Sequence, residues 1–154
     1  MLPPCTLWVD PGGMTGCAWL WLAETGWAFF ADEYAFLEAG QHIEDTARRY
    51  RTTLVLGIEG YHIRPDKPQT DAASAIEMIG VAKYHGLANG ARIIIAEPRS
   101  PNESDQEKLR ALGWWVPGKD DAQSAGCHMM RHLLRAGDLP PVFGERLSAA
   151  GLMV

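Results

Sequence analysis

Asp10 follows the apolar stretch Leu7-Trp8-Val9, Glu59 follows Leu54-Val55-Leu56-Gly57-Ile58, and Asp120 and Asp121 open a run with helical spacing. A carboxylate at the end of a core strand is costly if it stays unpaired in a dry environment, so it meets a cation or hydrogen-bond donors. Several such acids on neighbouring strands would form a site for a hard divalent cation, Mg²⁺ or Mn²⁺, because hard oxygen ligands select those ions. Two ions about 3.5 to 4 Å apart supply what phosphodiester hydrolysis needs: an activated water, stabilisation of the charge around phosphorus, and relief of charge on the leaving oxygen. Taken singly, each motif has an ordinary alternative. Asp10-Pro-Gly-Gly is a common turn, Glu59 has Arg64 and Lys67 nearby as ion-pair partners, and Asp120-Asp121 is an ordinary helix start. Their occurrence together, in this order, carries the metal-site reading.

The chain must supply elements that bring these acids together. Its 154 residues make a single domain, 1–154, with an ordinary apolar fraction of 47% and too little length for two lobes around a cleft. No apolar run approaches the ~20 residues that span a bilayer, and Met1-Leu-Pro-Pro-Cys5 does not resemble a signal peptide. Cys5, Cys17 and Cys127, without CxxC spacing, fit a reducing compartment; the expected localisation is cytoplasmic, or the host cytoplasm for a phage-encoded protein. With 14 Lys+Arg against 19 Asp+Glu the net charge is −5, which argues against a nucleic-acid partner until two bound Mg²⁺ are counted and the balance rises to about −1.

Thr6 to Val9 reads as a strand, Asp10 to Gly16 as a turn, and Cys17–Ala23 and Gly26–Ala31 as a hairpin joined by Glu24-Thr25-Gly26. Phe36, Ala39, Ile43, Ala47 and Tyr50 recur at helical spacing, predicting an amphipathic helix over about 33–49 that covers one sheet face. Thr52 to Ile58 is an apolar, β-branched run of the type buried on both faces, hence a central parallel strand. A second helix is expected over about 71–87, capped by Thr70 or Asp71, with enough small and apolar surface for a symmetric dimer. A buried strand follows over Ala91–Ala96. Ser104-Asp-Gln-Glu107 reads as a capping box for a short helix, and the last helix spans Asp120–Ala136, ended by Gly137 with Pro140-Pro141 stopping continuation.

The order βββαβαβα is that of the RNase H-like fold: α/β, with a five-stranded mixed sheet (three antiparallel strands, then parallel strands) flanked by helices. On that order, Asp10 within Asp-Pro-Gly-Gly-Met-Thr-Gly, Glu59 within Ile-Glu-Gly, and Asp121-Ala122-Gln-Ser-Ala125 resemble the RuvC family of Holliday junction resolvases, in a small form more like a bacteriophage version. The resemblance covers about 6–136. It implies a Mg²⁺-dependent endodeoxyribonuclease with two ions per active site (Mn²⁺ substituting), acting as a homodimer on four-way junctions and leaving 5′-phosphate and 3′-hydroxyl ends. Asp10 would bridge the ions, Glu59 and Asp121 would flank them, and Asp120 would be a fourth or outer carboxylate. One departure stands out: family members carry another acid or a histidine three positions before the final Asp, where this chain has Gly118. Adjacent helical residues point about 100° apart, so Asp121, on one side with Ser124 and His128, is favoured as the ligand and Asp120 as a helix cap.

Arg64, Lys67, Arg99 and Lys119 are candidate DNA contacts, or ordinary surface charge. Tyr61, His62 and Trp114-Trp115 fall in loops, where they either stack on exposed bases or pack beneath them. His128 and His132 lack a third nearby ligand and read as helix-surface or structural histidines. Three alternatives differ in chemistry: a related nuclease acting on flaps, forks or RNA, a non-catalytic junction-binding protein, and a kinase- or actin-like phosphate loop, which needs two lobes.

Overall fold

Six consecutive buried residues form β1 (Cys5–Asp10), and a strand buried on both faces belongs inside a sheet. In the computed structural model, which describes residues 3–61 and 72–153, β1 is the central strand of five in the order β3-β2-β1-β4-β5. β2 (Thr15–Ala23) pairs antiparallel with β1, and β3 (Gly26–Tyr34) antiparallel with β2 through the expected hairpin. On the other side β4 (Leu54–Glu59) runs parallel to β1, and β5 (Arg92–Ala96) parallel to β4.

Strand alternation sends successive side chains to two different layers. Leu7, Val9, Cys17, Leu54, Leu56 and Ile58 pack under α1 (Phe36–Tyr50) and α2 (Ala72–Ala88). Trp8, Ala18, Leu20 and Ala31 pack under α3 (Glu103–Leu112), α4 (Asp120–Ala136) and α5 (Pro141–Ala149). The predicted stripe of α1 is the buried one, with Ala39, Ile43 and Ala47 all inaccessible. Trp8 stands opposite Gly57 in the β1–β4 register, and a Cβ at position 57 would fall inside its indole ring, so the absent side chain is what lets the largest core residue lie flat. All three cysteines are buried and free; burial pushes the Cys5 and Cys127 thiols up to about 12 and Cys17 higher still. No described helix is long and apolar enough to cross a membrane.

Several boundaries differ from the sequence-based expectation; among them, β4 starts at Leu54 rather than Thr52, because Arg51–Thr53 form a single 3-10 turn. β3 continues to Tyr34, because its partner strand starts as early as Thr15, and α1 therefore begins at Phe36 rather than Glu33. The capping box is Asn102–Asp105, not Ser104–Glu107: Asn102 Oδ1 accepts the Asp105 N–H at 2.8 Å, and the Asn102 N–H donates to Asp105 Oδ2 at 3.0 Å. Asn is among the best N-cap acceptors, and Pro101 before it presets the turn. Gly137, in the left-handed region, ends α4, and Pro141 opens a further helix, α5, at a position where its missing N–H has no intrahelical partner to lose. Asp120 is not the cap of α4; Lys119 occupies that place, and Asp120 and Asp121 lie in the first turn, favoured there by the helix dipole. The residues expected to cap α2, Thr70 and Asp71, lie outside the described residues.

Asp105 also joins α3 to α4. Arg131 Nη2 reaches its Oδ2 at 2.5 Å, and the same guanidinium donates to the carbonyls of Arg99 and Ser100, both at 3.2 Å. Burial pushes the Asp105 carboxyl up, but hydrogen bonds from Arg131 and the Asn102 N–H, with the charges of Arg131 and Arg99, outweigh it and leave it below the usual range. A carboxyl lowered on folding contributes stability above its unfolded value, and this is lost as pH falls through the folded one. Asp105→Ala is expected to destabilise the protein by about 3 kcal/mol at pH 7. Urea titrations checked at successively lower pH should show the gap between variant and parent closing below about pH 4.

Candidate active site

The parallel register Val9↔Ile58 makes Asp10 and Glu59 the next rung, at the C-terminal ends of two adjacent central strands. Asp10 alternates with Val9 and so shares the face of Trp8; Glu59 shares the face of Gly57, on which Trp8 lies. Both acids thus project toward α4. On the other side of β1, Asp10 pairs with Gly16 of β2. The first turn of α4 rests directly on that glycine: a Cβ at Gly16 would overlap the Asp121 carbonyl and crowd the Ala122 nitrogen. Glu33, paired with Gly16 from β3, accepts the Asp121 N–H at 2.9 Å, so a carboxylate from the sheet caps the positive end of the helix. Asp10, Glu59, Asp120 and Asp121 line one cleft of about 460 Å³ with Ser100 and Ser124, Asp120 being exposed at its rim.

Asp10 is only 9% exposed, and burial raises its carboxyl well above the usual aspartate range. The charge of Glu59, a hydrogen bond shared with Glu59 and the charge of Asp121 push the same way, while a hydrogen bond from Ser124 opposes them. Like charges so close together make the second one costlier to hold. Glu59 Oε2 also receives the Ser124 hydroxyl at 3.3 Å and lies 2.9 Å from His128 Nε2. His128 is 4% exposed and stacked on Trp8, ring centroids 6.2 Å apart and planes within 6°. Its Nε2 makes no hydrogen bond, although it lies close to Glu59.

The donor chemistry at the cleft suits a hard divalent cation: oxygen ligands throughout, around an Asp10 carboxyl that burial and the Glu59 charge raise. Convergence is incomplete, however. Among the described residues no group of three or more Asp, Glu, His or Cys side chains is gathered closely enough to hold an ion. Asp10 and Glu59 form a two-carboxylate half of the expected site, and Asp121 acts on Asp10 through its charge from the edge of the same cleft.

The remaining candidates are placed as follows. His62, Arg64 and Lys67 lie outside the described residues. Tyr61 follows β4, half-buried, and Arg99 is exposed on the loop after β5, its carbonyl held by Arg131. Lys119 is paired with Asp32, whose carboxyl this hydrogen bond holds below the usual range. Trp114 is a core residue, stacked on Phe29 at 4.5 Å and edge-on to Phe143 at 5.0 Å, and Trp115 carries the Arg110 guanidinium over its ring at 4.4 Å. Two residues beyond the expected set, His128 and Glu33, touch Glu59 and the Asp121 N–H. The helical spacing of Asp121, Ser124 and His128 was a signal for the first; no local pattern reveals the second.

Because folding raises the Asp10 carboxyl, stability present below the ordinary aspartate value is lost as pH climbs through the raised one. Asp10→Asn is expected to melt a few degrees above the parent at pH 7.5 without metal, on a scale of about 2 to 4 °C per kcal/mol, the difference vanishing in acid. Adding Mn²⁺ should raise the melting temperature of the parent and leave the variant unmoved, as scanning calorimetry would show.

No family model and no curated protein sequence matches the chain. Among solved structures it is similar to T. thermophilus RuvC in complex with Holliday junction substrate, at 10% identity and a TM-score of 0.56, over 87% of this chain and 97% of that one. It is also similar to a further Thermus thermophilus RuvC structure at 14% identity, a TM-score of 0.48 and the same coverage. At such identity the likeness concerns architecture, and that architecture is the RNase H-like fold: a five-stranded mixed sheet, three antiparallel strands then parallel ones, with helices on both faces.

Proposed function

We propose that this chain is a Mg²⁺-dependent, structure-selective endonuclease that resolves four-way DNA junctions. The observation that supports it most directly is the pairing of buried Asp10 with half-buried Glu59 at the ends of two parallel strands, with Asp121 of α4 in the same cleft. The RNase H-like fold, and a structural neighbour whose complex contains a Holliday junction, supply the substrate class. Bound divalent ions would supply an activated water and charge relief at the scissile phosphate. Asp10 would hold them from the centre, Glu59 and Asp121 from either side, and Asp120 from the rim. Ser124 and His128, both set against the same carboxylate oxygen of Glu59, would orient that side chain. Tyr61, Arg99 and Lys119, with His62, Arg64 and Lys67 beyond the described residues, are proposed as DNA contacts.

A four-armed substrate asks for paired cuts and hence paired sites, as a two-fold dimer provides. The helix proposed for that interface, α2, exposes Ile76, Tyr84 and Leu87. Sedimentation at micromolar concentration should give twice the chain mass of 16.9 kDa, and a monomer alone would remove the dimer from the scheme. A second reading, a junction-binding protein without catalysis, is favoured by the incomplete gathering of acids among the described residues and by Gly118.

Labelled four-way, flap, duplex and single-stranded substrates incubated with Mg²⁺ separate these readings. The parent should cut the four-way junction best, and Asp10→Asn and Glu59→Gln should each lose more than about 100-fold in rate. Undiminished cutting by both variants would reject the site; tight junction binding without cutting by the parent would select the second reading.

A further inference from the structure

A second concavity, of about 410 Å³, adjoins the acid cleft between α4 and the end of β5. Its floor is apolar, with Trp8, Ile94 and Ala96, and its walls carry Arg99, Arg131 and Arg135 with His128 and His132. In a chain of net charge −5, this clustering of three arginines is a local reversal of sign. Arg131 is committed to Asp105 and to the Arg99 and Ser100 carbonyls, and in holding them it fixes the loop that carries Arg99. Arg135, one turn further along α4, is exposed. His132, tilted on Trp8 at 5.4 Å, is held below the usual histidine range by burial and by the charges of Arg92 and Arg135, against the opposing charge of Asp138; Glu97 is the acid in the groove wall.

The groove and the acid cleft are neighbours, linked through the residues that border both. His128 touches Glu59 and also lines the groove; the loop after β5 contributes Arg99 to the groove and Ser100 to the cleft. We propose that this groove holds the sugar–phosphate backbone of the DNA strand on the Glu59 side of the scissile bond, its phosphates paired with Arg99 and Arg135. Guanidinium forks match phosphate oxygens in pairs, and the apolar floor suits the sugar edge. The inference rests on the nuclease reading for its location, but it adds a surface that the acids do not provide: the means by which an acidic protein retains a polyanion.

The test uses Asp10→Asn as an uncut background and measures binding of a fluorescent four-way junction by anisotropy as NaCl is raised, with Ca²⁺ present. In that background Arg99→Ala and Arg135→Ala should each weaken binding about 3- to 10-fold at low salt, and each should lower the slope of log affinity against log salt by about one. Arg48→Gln, on the exposed face of α1 and paired with Glu44, removes the same charge elsewhere and should leave the slope unchanged. A double Arg99/Arg135 variant with the background slope, or an Arg48→Gln effect equal to theirs, overturns the groove. Should the parent bind with this arginine dependence yet never cut, the groove stands and the nuclease reading falls; no binding at all removes both.

Discussion

The seat of α4 on the backbone of β2 at Gly16 governs the geometry of everything chemical in this molecule. A helix normally stands off a sheet by the thickness of two side-chain layers. Here the sheet contributes no side chain, and the Asp121 carbonyl comes down onto Gly16 itself. Gly16 is paired with Asp10 on one side and Glu33 on the other, so the contact carries the start of α4 to the rung where β1 presents its acid. Glu33 then takes the Asp121 N–H, and Glu59 one strand over is met by Ser124 and His128 from the next turns of the helix. Without that one approach the acids of sheet and helix would occupy separate regions of the surface.

The electrostatics follow from this crowding. Asp10 is buried beside two other carboxylates, and its raised proton affinity is the cost of assembling them before any counter-charge arrives. Elsewhere the same chain neutralises its acids: Lys119 serves Asp32, and Arg131 serves Asp105. The Asp10–Glu59 pair instead meets Ser124 and His128.

What could be read from the sequence was whatever a strong local pattern fixes. The six-residue runs ending in Asp10 and Glu59 have one plausible environment, a central strand, and so the ends of those strands were legible together with the acids on them. The Ala39, Ile43, Ala47 stripe likewise admits one face. Features set by partners distant in sequence were not legible. β3 runs past Ala31 because Thr15 and Gly16 offer it a pairing partner, and only that extension turns Glu33 into a cap for α4. His128 looks like any helical histidine until Trp8 and Glu59 arrive from other strands, and Trp114 looks like a loop aromatic until Phe29 and Phe143 enclose it. The capping box differs for another reason: two overlapping patterns compete within six residues, and the one that follows Pro101, at Asn102, forms.

The buried thiols have a use apart from chemistry at the acids. Cys5 and Cys17 belong to the layer under α1 and α2, whereas Cys127 belongs to α4 itself, packed in the opposite layer. Shielded and held protonated, none reacts appreciably with an alkylating reagent while its own layer stays closed. The order in which the three become modified therefore records which side of the sheet lifts first, a native gauge of whether the two coverings open as one cooperative unit or separately.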